Sequence, residues 1–278
     1  LGMLGSQGWI GTLDAKALTA LKNSEGENYW QAGKPHQADP AQLTADRMRP
    51  KDWLGFLEVH IEQGAGMWKR KESVALVTGI NGRWQYLVTL SGVANHAGST
   101  GMEDRHDALA GAAEVIAGLE SFAPTLGPRV VATVGKLSVE PNVFNVIPAS
   151  VTFTIDLRAD ADSTLVAADS GIRKLVKQAA DKRGLSAEMK QTESLPAVAL
   201  STKLADRFRA AAARLSLPKL PETTSGALHD AAILAPIIPT IMLFVSSKDG
   251  ISHNPGEFSR TEDMATATRL LYEAVTQA

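Results

Sequence analysis

The chain has 278 residues with 28 Lys+Arg against 30 Asp+Glu, a formal net charge of −2, and this near-balance excludes a strongly basic nucleic-acid binder. At roughly 100–200 residues per domain the length suits one large or two ordinary domains, and 44% hydrophobic residues are enough for a folded core. The absence of cysteine excludes disulfides, thiolate nucleophiles and zinc-thiolate sites, so any metal must be held by carboxylates and by the six histidines, His36, His60, His96, His106, His229 and His253.

No apolar run approaches the roughly 18 residues of a membrane span, and no basic segment leads into an apolar signal core. The expectation is a soluble, cytoplasmic protein with neither nucleic-acid nor membrane partners. The chain opens at Leu1 in the Gly-rich LGMLGSQGWIG and reads as a cut end. Up to about Val77 the pattern is mixed. Asp39-Pro40 before AQLTADRMR predicts a short helix with an acid N-cap and Pro at its first position. Trp53–Ile61 predicts a buried strand that ends at Glu62-Gln63-Gly64 and carries His60 at its C-terminal end, where open α/β sheets build sites.

From about Gly79 the order becomes regular. Strands are predicted over 82–92, 129–140, 149–158 and 185–193, with helices over 104–122 and 162–183. This β-α-β-β-α-β order is the ferredoxin-like arrangement, of a length suited to a separate domain. Beyond Pro196 the pattern predicts helices over 201–215 and 229–234, a buried strand over 239–245, and a last helix from Thr261 with Glu262 and Asp263 in its first turn. The chain is therefore read as an α/β domain formed by 1–78 and 196–278, interrupted by a βαββαβ unit over 79–195.

His60 and Glu62 are two apart, so on a regular strand they share a face, either as a metal ligand with an orienting carboxylate or as a strand-end His satisfied by backbone. His253 lies in the turn-rich GISHNPGE after an apolar strand, a loop that is either functional or a plain turn. His229 and Asp230 in SGALHDA stand at a helix start, where Asp230 also serves the helix dipole. His96 sits in the small-residue loop GVANHAGST, where a ligand can come close, and His106 reads as a solvated or capping residue. Arg158 ends an apolar strand beside Asp156, either pairing with that acid or clamping an anionic substrate. The five tryptophans show no basic interleaving and read as packing residues.

Together LGMLGS, FLEVHIEQG, NHAGST with RHDAL, TVGKLSVEPNVFNVIP, TIDLR, SGALHDA and GISHNPGE resemble, in this order, the dinuclear metal-dependent amidases. These include N-carbamoyl-L-amino-acid hydrolases, allantoate amidohydrolases and β-alanine synthase, within the zinc aminopeptidase-like hydrolases. The resemblance implies an α/β catalytic domain interrupted by a ferredoxin-like lid and dimerisation domain, in a homodimer built through 79–195. It implies two divalent metals, Zn or Mn with Co or Ni as further choices, and hydrolysis of the ureido C–N bond of N-carbamoyl amino acids or allantoate-type ureido acids. His60 and His253 correspond to metal ligands. His96 corresponds to the group that stabilises the oxyanion, reaching the site on domain closure or from a partner subunit. Asn145 and Arg158 correspond to residues that hold the substrate carboxylate, and His229 and Gln63 to further substrate contacts. An aminoacylase or peptidase of the same fold, and an inactive chain that serves only in dimerisation, are the alternatives.

The family's HxD motif, bridging Asp and Glu-Glu pair have no counterpart here; the nearest cases are His60-Ile61-Glu62 and Glu103-Asp104. The expectation is poor binding of catalytic metal, little hydrolysis by this chain, and an exposed sheet edge or apolar face. Gly101, Ala149 and Leu228 also depart from the family pattern of Pro, Gly and Gly. If the Gly before His229 serves close approach or a positive φ, Leu228 narrows the pocket or strains the loop.

Overall fold

A computed structural model describes residues 3–36, 39 and 41–277. The chain divides into unit 1, Leu1–Ile80 with Ala199–Ala278, and unit 2, Asn81–Val198. Unit 1 begins with short helices α1 (Leu4–Ile10), α2 (Ala15–Ala20), α3 (Tyr29–Gly33) and α4 (Gln42–Ala45). Local devices set their ends. Asp14 accepts from Ala17 N–H at the start of α2, and Asn28 and Gln31 form a reciprocal capping box on α3. The helix expected after Asp39-Pro40 is reduced to α4, because Asp39 accepts the N–H of Ala41 in a turn before the helix starts. Pro40 lies outside the described residues.

Strand β1 (Phe56–Ile61), helix α5 (Gly66–Arg70) and strand β2 (Val74–Ile80) complete the first stretch of unit 1. β1 starts later than the sequence predicts, since Trp53 and Leu54 are exposed. Unit 2 follows as β3 (Gly82–Ser91), α6 (Ala108–Phe122), β4 (Val131–Thr133), β5 (Leu137–Glu140), β6 (Ser150–Ala159), α7 (Asp162–Arg183) and β7 (Ser186–Leu195). The chain continues with β8 (Val198–Ala199), α8 (Thr202–Arg214), β9 (Glu222–Ser225), α9 (Asp230–Leu234), β10 (Thr240–Val245) and α10 (Thr261–Thr276).

The sheet of unit 1 has the order β1-β10-β2-β8, with β9 also on β2. Its central strands β10, TIMLFV, and β2, VALVTGI, are almost wholly buried and therefore read as continuous apolar runs without alternation. β1 runs parallel to β10 with His60 opposite Phe244, and among the described residues it forms an edge of the sheet. Helix α9 packs on β1, which sets the start of α9 against the histidine-bearing face of the strand.

In unit 2 the antiparallel order is β4-β6-β3-β7, with β5 also on β6. The run predicted over 129–140 is broken at Val134-Gly135-Lys136 into β4 and β5. Along β6, Val151, Phe153, Ile155, Leu157 and Ala159 are buried in a core that also includes Val115, Leu119, Leu165 and Ile172 from α6 and α7. Each fully buried Phe, Ile or Leu stabilises by about 1.5–3 kcal/mol. The alternation leaves Asp156 and Arg158 on the opposite face of β6. No helix among the described residues is long and apolar enough to cross a membrane.

Candidate functional site

Unit 1 gathers its chemistry at β1. The pleat puts Glu58 and His60 on one face, and α9 brings His229 to them. One ligand atom from each of the three lies within 4.8 Å of the others. The rings of His60 and His229 meet edge to face at 4.6 Å, and His229 Nδ1 is 3.7 Å from Glu58 Oε1. The other Glu58 oxygen accepts the Ala231 N–H at 2.8 Å and so caps α9 from a neighbouring strand. Ser6 of LGMLGS donates to Asp230 of SGALHDA, which ties α1 to the same helix start.

The ring nitrogens have defined roles. His60 Nδ1 lies 2.8 Å from the Ile61 carbonyl, which only accepts, so Nδ1 carries the proton and Nε2 keeps its lone pair. His229 is 2% exposed; its Nε2 is 2.7 Å from Ser225 Oγ, while its Nδ1 is buried without a hydrogen-bond partner. Burial, reinforced by His60 and opposed by Asp230, pushes the His229 imidazole down to about 4. Burial pushes the Glu58 carboxyl up, against the Ala231 N–H that favours its charged form.

An orphaned nitrogen facing a carboxylate oxygen tests whether a cation fits. Without one, the tautomer with a proton on Nδ1 avoids setting a lone pair against the oxygen. With one, Nε2–H would donate to Ser225 and free the Nδ1 lone pair, and His60 and Glu58 would be the other residues to hold the cation. Two imidazoles and a carboxylate are the donor types and number of an open zinc-like site, so the residues fit a divalent cation.

The other expected residues of unit 1 are placed differently. The shared face of His60 and Glu62 does not form, because β1 ends at Ile61 and Glu62 turns to accept the Met67 N–H at 2.9 Å. His229, expected to face the substrate, is buried against His60 and Glu58 instead. His253 is exposed and lies outside the three-residue group. It is joined to the end of β1 through Gln63, whose Nε2 donates to Ser252 Oγ at 3.1 Å and lies 3.5 Å from His253 Nε2. Gln63 and His253 both have left-handed backbones, at φ 56° and 55°, a conformation that side chains of this size rarely adopt. Gly250 makes the approach of these loops possible: its φ is +70°, and a Cβ there would lie 2.6 Å from the backbone of Gly64. Leu228 has no positive φ, so the feared strain beside His229 is absent.

Unit 2 brings His96 and Asn145 together just before β6 and leaves Arg158 near the other end of that strand, opposite Arg83. Ala97 N–H donates to the Asn145 carbonyl at 3.0 Å, Ile147 N–H donates to the Asn95 carbonyl at 2.8 Å, and His96 bridges to Val146. NHAGST and NVIP thus form adjacent antiparallel loops, with His96 and Asn145 exposed on them. His96 Nδ1 accepts from Gly98 N–H at 3.0 Å and Ser99 N–H at 3.2 Å, so the proton of the neutral ring resides on Nε2. Arg158 Nε donates to Asp156 Oδ1 at 2.7 Å and its Nη2 lies 3.3 Å from Oδ2, the ion pair that was one of its two readings. His106 is a capping residue, donating from Nδ1 to the Arg183 carbonyl that ends α7. Glu58 and Ser225 are site residues that the sequence reading missed; a search two residues before His60, as well as two after, would have found Glu58.

The profile described as Peptidase family M20/M25/M40 matches residues 25–277. The chain is 36% identical over 278 residues to the N-carbamoyl-L-amino acid amidohydrolase of Geobacillus stearothermophilus, covering 99% of this chain and 67% of that protein. It is 34% identical over 223 residues to the allantoate amidohydrolase of Bacillus subtilis, covering 79% of this chain and 53% of that protein. A crystal structure of an amidase of the hydantoinase/carbamoylase family from Burkholderia multivorans superposes with a TM-score of 0.85 at 32% identity, covering 97% of this chain and 64% of that one. The chain therefore spans between half and two thirds of the length of these proteins.

Proposed function

Because the chain belongs to Peptidase family M20/M25/M40, we propose that the protein is a metal-dependent amidohydrolase that cleaves the ureido C–N bond of N-carbamoyl-L-amino acids or allantoate-type ureido acids. The observation that carries the reading is the buried, unpartnered Nδ1 of His229 set beside His60 and 3.7 Å from Glu58. The printed names of two relatives support a ureido acid over a plain amide, since both act on such compounds.

His60, Glu58 and His229 would hold a divalent cation, and the chemistry such a cation would supply is polarisation of the carbamoyl carbonyl and a lower pKa for water. His96 donates its Nε2–H to the oxygen on which negative charge develops, the kind of donor whose removal typically costs about 10²–10³ in turnover. Arg158 holds the substrate carboxylate, with Asp156 fixing the plane of the guanidinium before substrate arrives; Asn145 stands beyond the other end of β6 and would meet the same carboxylate only from a partner subunit. Gln63 is a further substrate contact of unit 1, tied to the 252–253 loop through Ser252.

Ammonia release from N-carbamoyl-L-amino acids and from allantoate, with Zn²⁺ or Mn²⁺ added, tests this reading beside calorimetric titration of the cation. Among the described residues the ligands group for one cation, so release by this chain is expected to be slow, and His60→Ala is expected to abolish both that release and cation binding. Release that survives His60→Ala overturns the assignment.

A further inference from the structure

We propose that Arg105 is a positioning residue, which holds the 96–100 loop in the one arrangement where His96 presents an Nε2–H donor. The inference rests on the role of His96 given above. It starts from a loop that folds back on its own histidine. Gly98 and Ser99 point their N–H groups at His96 Nδ1, and Thr100 returns both its N–H, at 3.2 Å, and its hydroxyl, at 2.8 Å, to the His96 carbonyl. Two donors on Nδ1 force the ring proton to Nε2 for as long as the loop keeps this shape.

The loop is exposed, so apolar packing does not hold it. Its outward carbonyls are held by Arg105. Nη2 donates to Ala97 O at 2.6 Å and to Thr100 O at 3.0 Å, and Nε donates to Thr100 O at 3.2 Å. Among the described residues these bonds all go to backbone carbonyls and none to a carboxylate, so the guanidinium serves the loop rather than an ion pair. The bonded carbonyls belong to residues on either side of Gly98 and Ser99, the two donors to His96. A planar fork can bridge both at once, whereas a Lys ammonium is a single point on a flexible stem. Asp107 anchors the segment from below by capping α6 through the N–H groups of Leu109 and Ala110, which fixes where Arg105 stands.

The test is imidazole ¹⁵N NMR on the 278-residue chain, comparing wild type with Arg105→Gln and Arg105→Lys, with the buried methyls of Ile155 and Ile172 reporting that unit 2 is folded. Wild type is expected to show His96 as the single Nε2–H tautomer. Both variants should show a mixture of tautomers, with an accompanying fall in kcat of about tenfold or more and little change in KM. If Arg105→Gln loses the buried methyl signals, Arg105→Lys, which keeps the charge, is the variant read. A single Nε2–H tautomer in a folded variant overturns the inference. A mixed tautomer with unchanged kcat supports the positioning and instead sinks the role of His96 in turnover.

Discussion

His229 in unit 1 and His96 in unit 2 are both held through one ring nitrogen, in opposite surroundings. His229 is buried, and desolvation keeps its ring neutral at neutral pH while leaving Nδ1 without a partner beside Glu58. His96 stands in solvent, and two backbone N–H groups occupy Nδ1. Burial makes His229 sensitive to any charge placed near it, because a low-dielectric site strengthens electrostatic interactions. The exposed ring depends instead on the order of the five residues His96–Thr100. The first arrangement offers donors that suit a cation, and the second depends on backbone geometry.

The sharpest way to break that contrast is to remove His60. His60→Ala should lower divalent-cation affinity by more than about 100-fold, since it deletes a ligand rather than an outer partner, whose loss typically costs about 10–100-fold. The ¹⁵N signature of His96 should stay unchanged. Calorimetry that finds wild-type affinity would remove the cation from unit 1. Next in size is the comparison of His229→Ala with His253→Ala. The first also deletes a ligand and should weaken binding about 100-fold, and the second leave it intact; the reverse order would move the cation to the 252–253 loop and restore the ligand set read from the sequence. Glu58→Gln separates charge from capping, because the amide oxygen still accepts from Ala231 N–H. It should weaken the cation about tenfold with Tm held within about 2 °C. Glu58→Ala should also cost about 1 kcal/mol of helix capping, visible as a further fall in Tm.

Much of this molecule was legible in its residues, and the gaps have physical causes. The βαββαβ order of unit 2 is written in alternation, as in β6, where every second residue is buried. β2 was passed over because VALVTGI is buried on both faces, and a short continuous apolar run has no period to read. The short helices of the N-terminal stretch depend on caps such as Asn28 with Gln31 rather than on an apolar stripe. In the site, His60 was found by its place at a strand end, but Glu62 was preferred to Glu58 because the strand was assumed to continue past Ile61. The sequence places His229 at a helix start and says nothing of its burial, which comes from the packing of α9 on β1. His96 and Asn145 are 49 positions apart, and the pairing of their loops depends on register within the unit 2 fold.

The smallest effect probes the charged face of unit 2, where electrostatics act in partial exposure. In the β3–β6 register Arg83 lies directly opposite Arg158, a like-charge pair that is tolerated because Asp156 accepts from Arg158 and from Gln85 while Glu193 takes Arg83. Burial alone would raise the Asp156 carboxyl, but the bonds from Arg158 and Gln85 and the charges of Arg158 and Arg83 outweigh it and hold the group below its ordinary 3.8. A depressed folded-state pKa stabilises the fold above the unfolded value, and that contribution is lost as pH falls through the folded one. Asp156→Asn keeps the shape and removes the charge, leaving two guanidiniums facing each other. At pH 7 it should destabilise by about 1 kcal/mol, the low end for a hydrogen bond to a charged group because the pair is partly exposed. The penalty should shrink as pH falls below 3.8, where wild type begins to lose the same charge. Urea unfolding at both ends of that range measures it, and an equal penalty at pH 7 and pH 3 would mean that Asp156 acts through packing rather than charge.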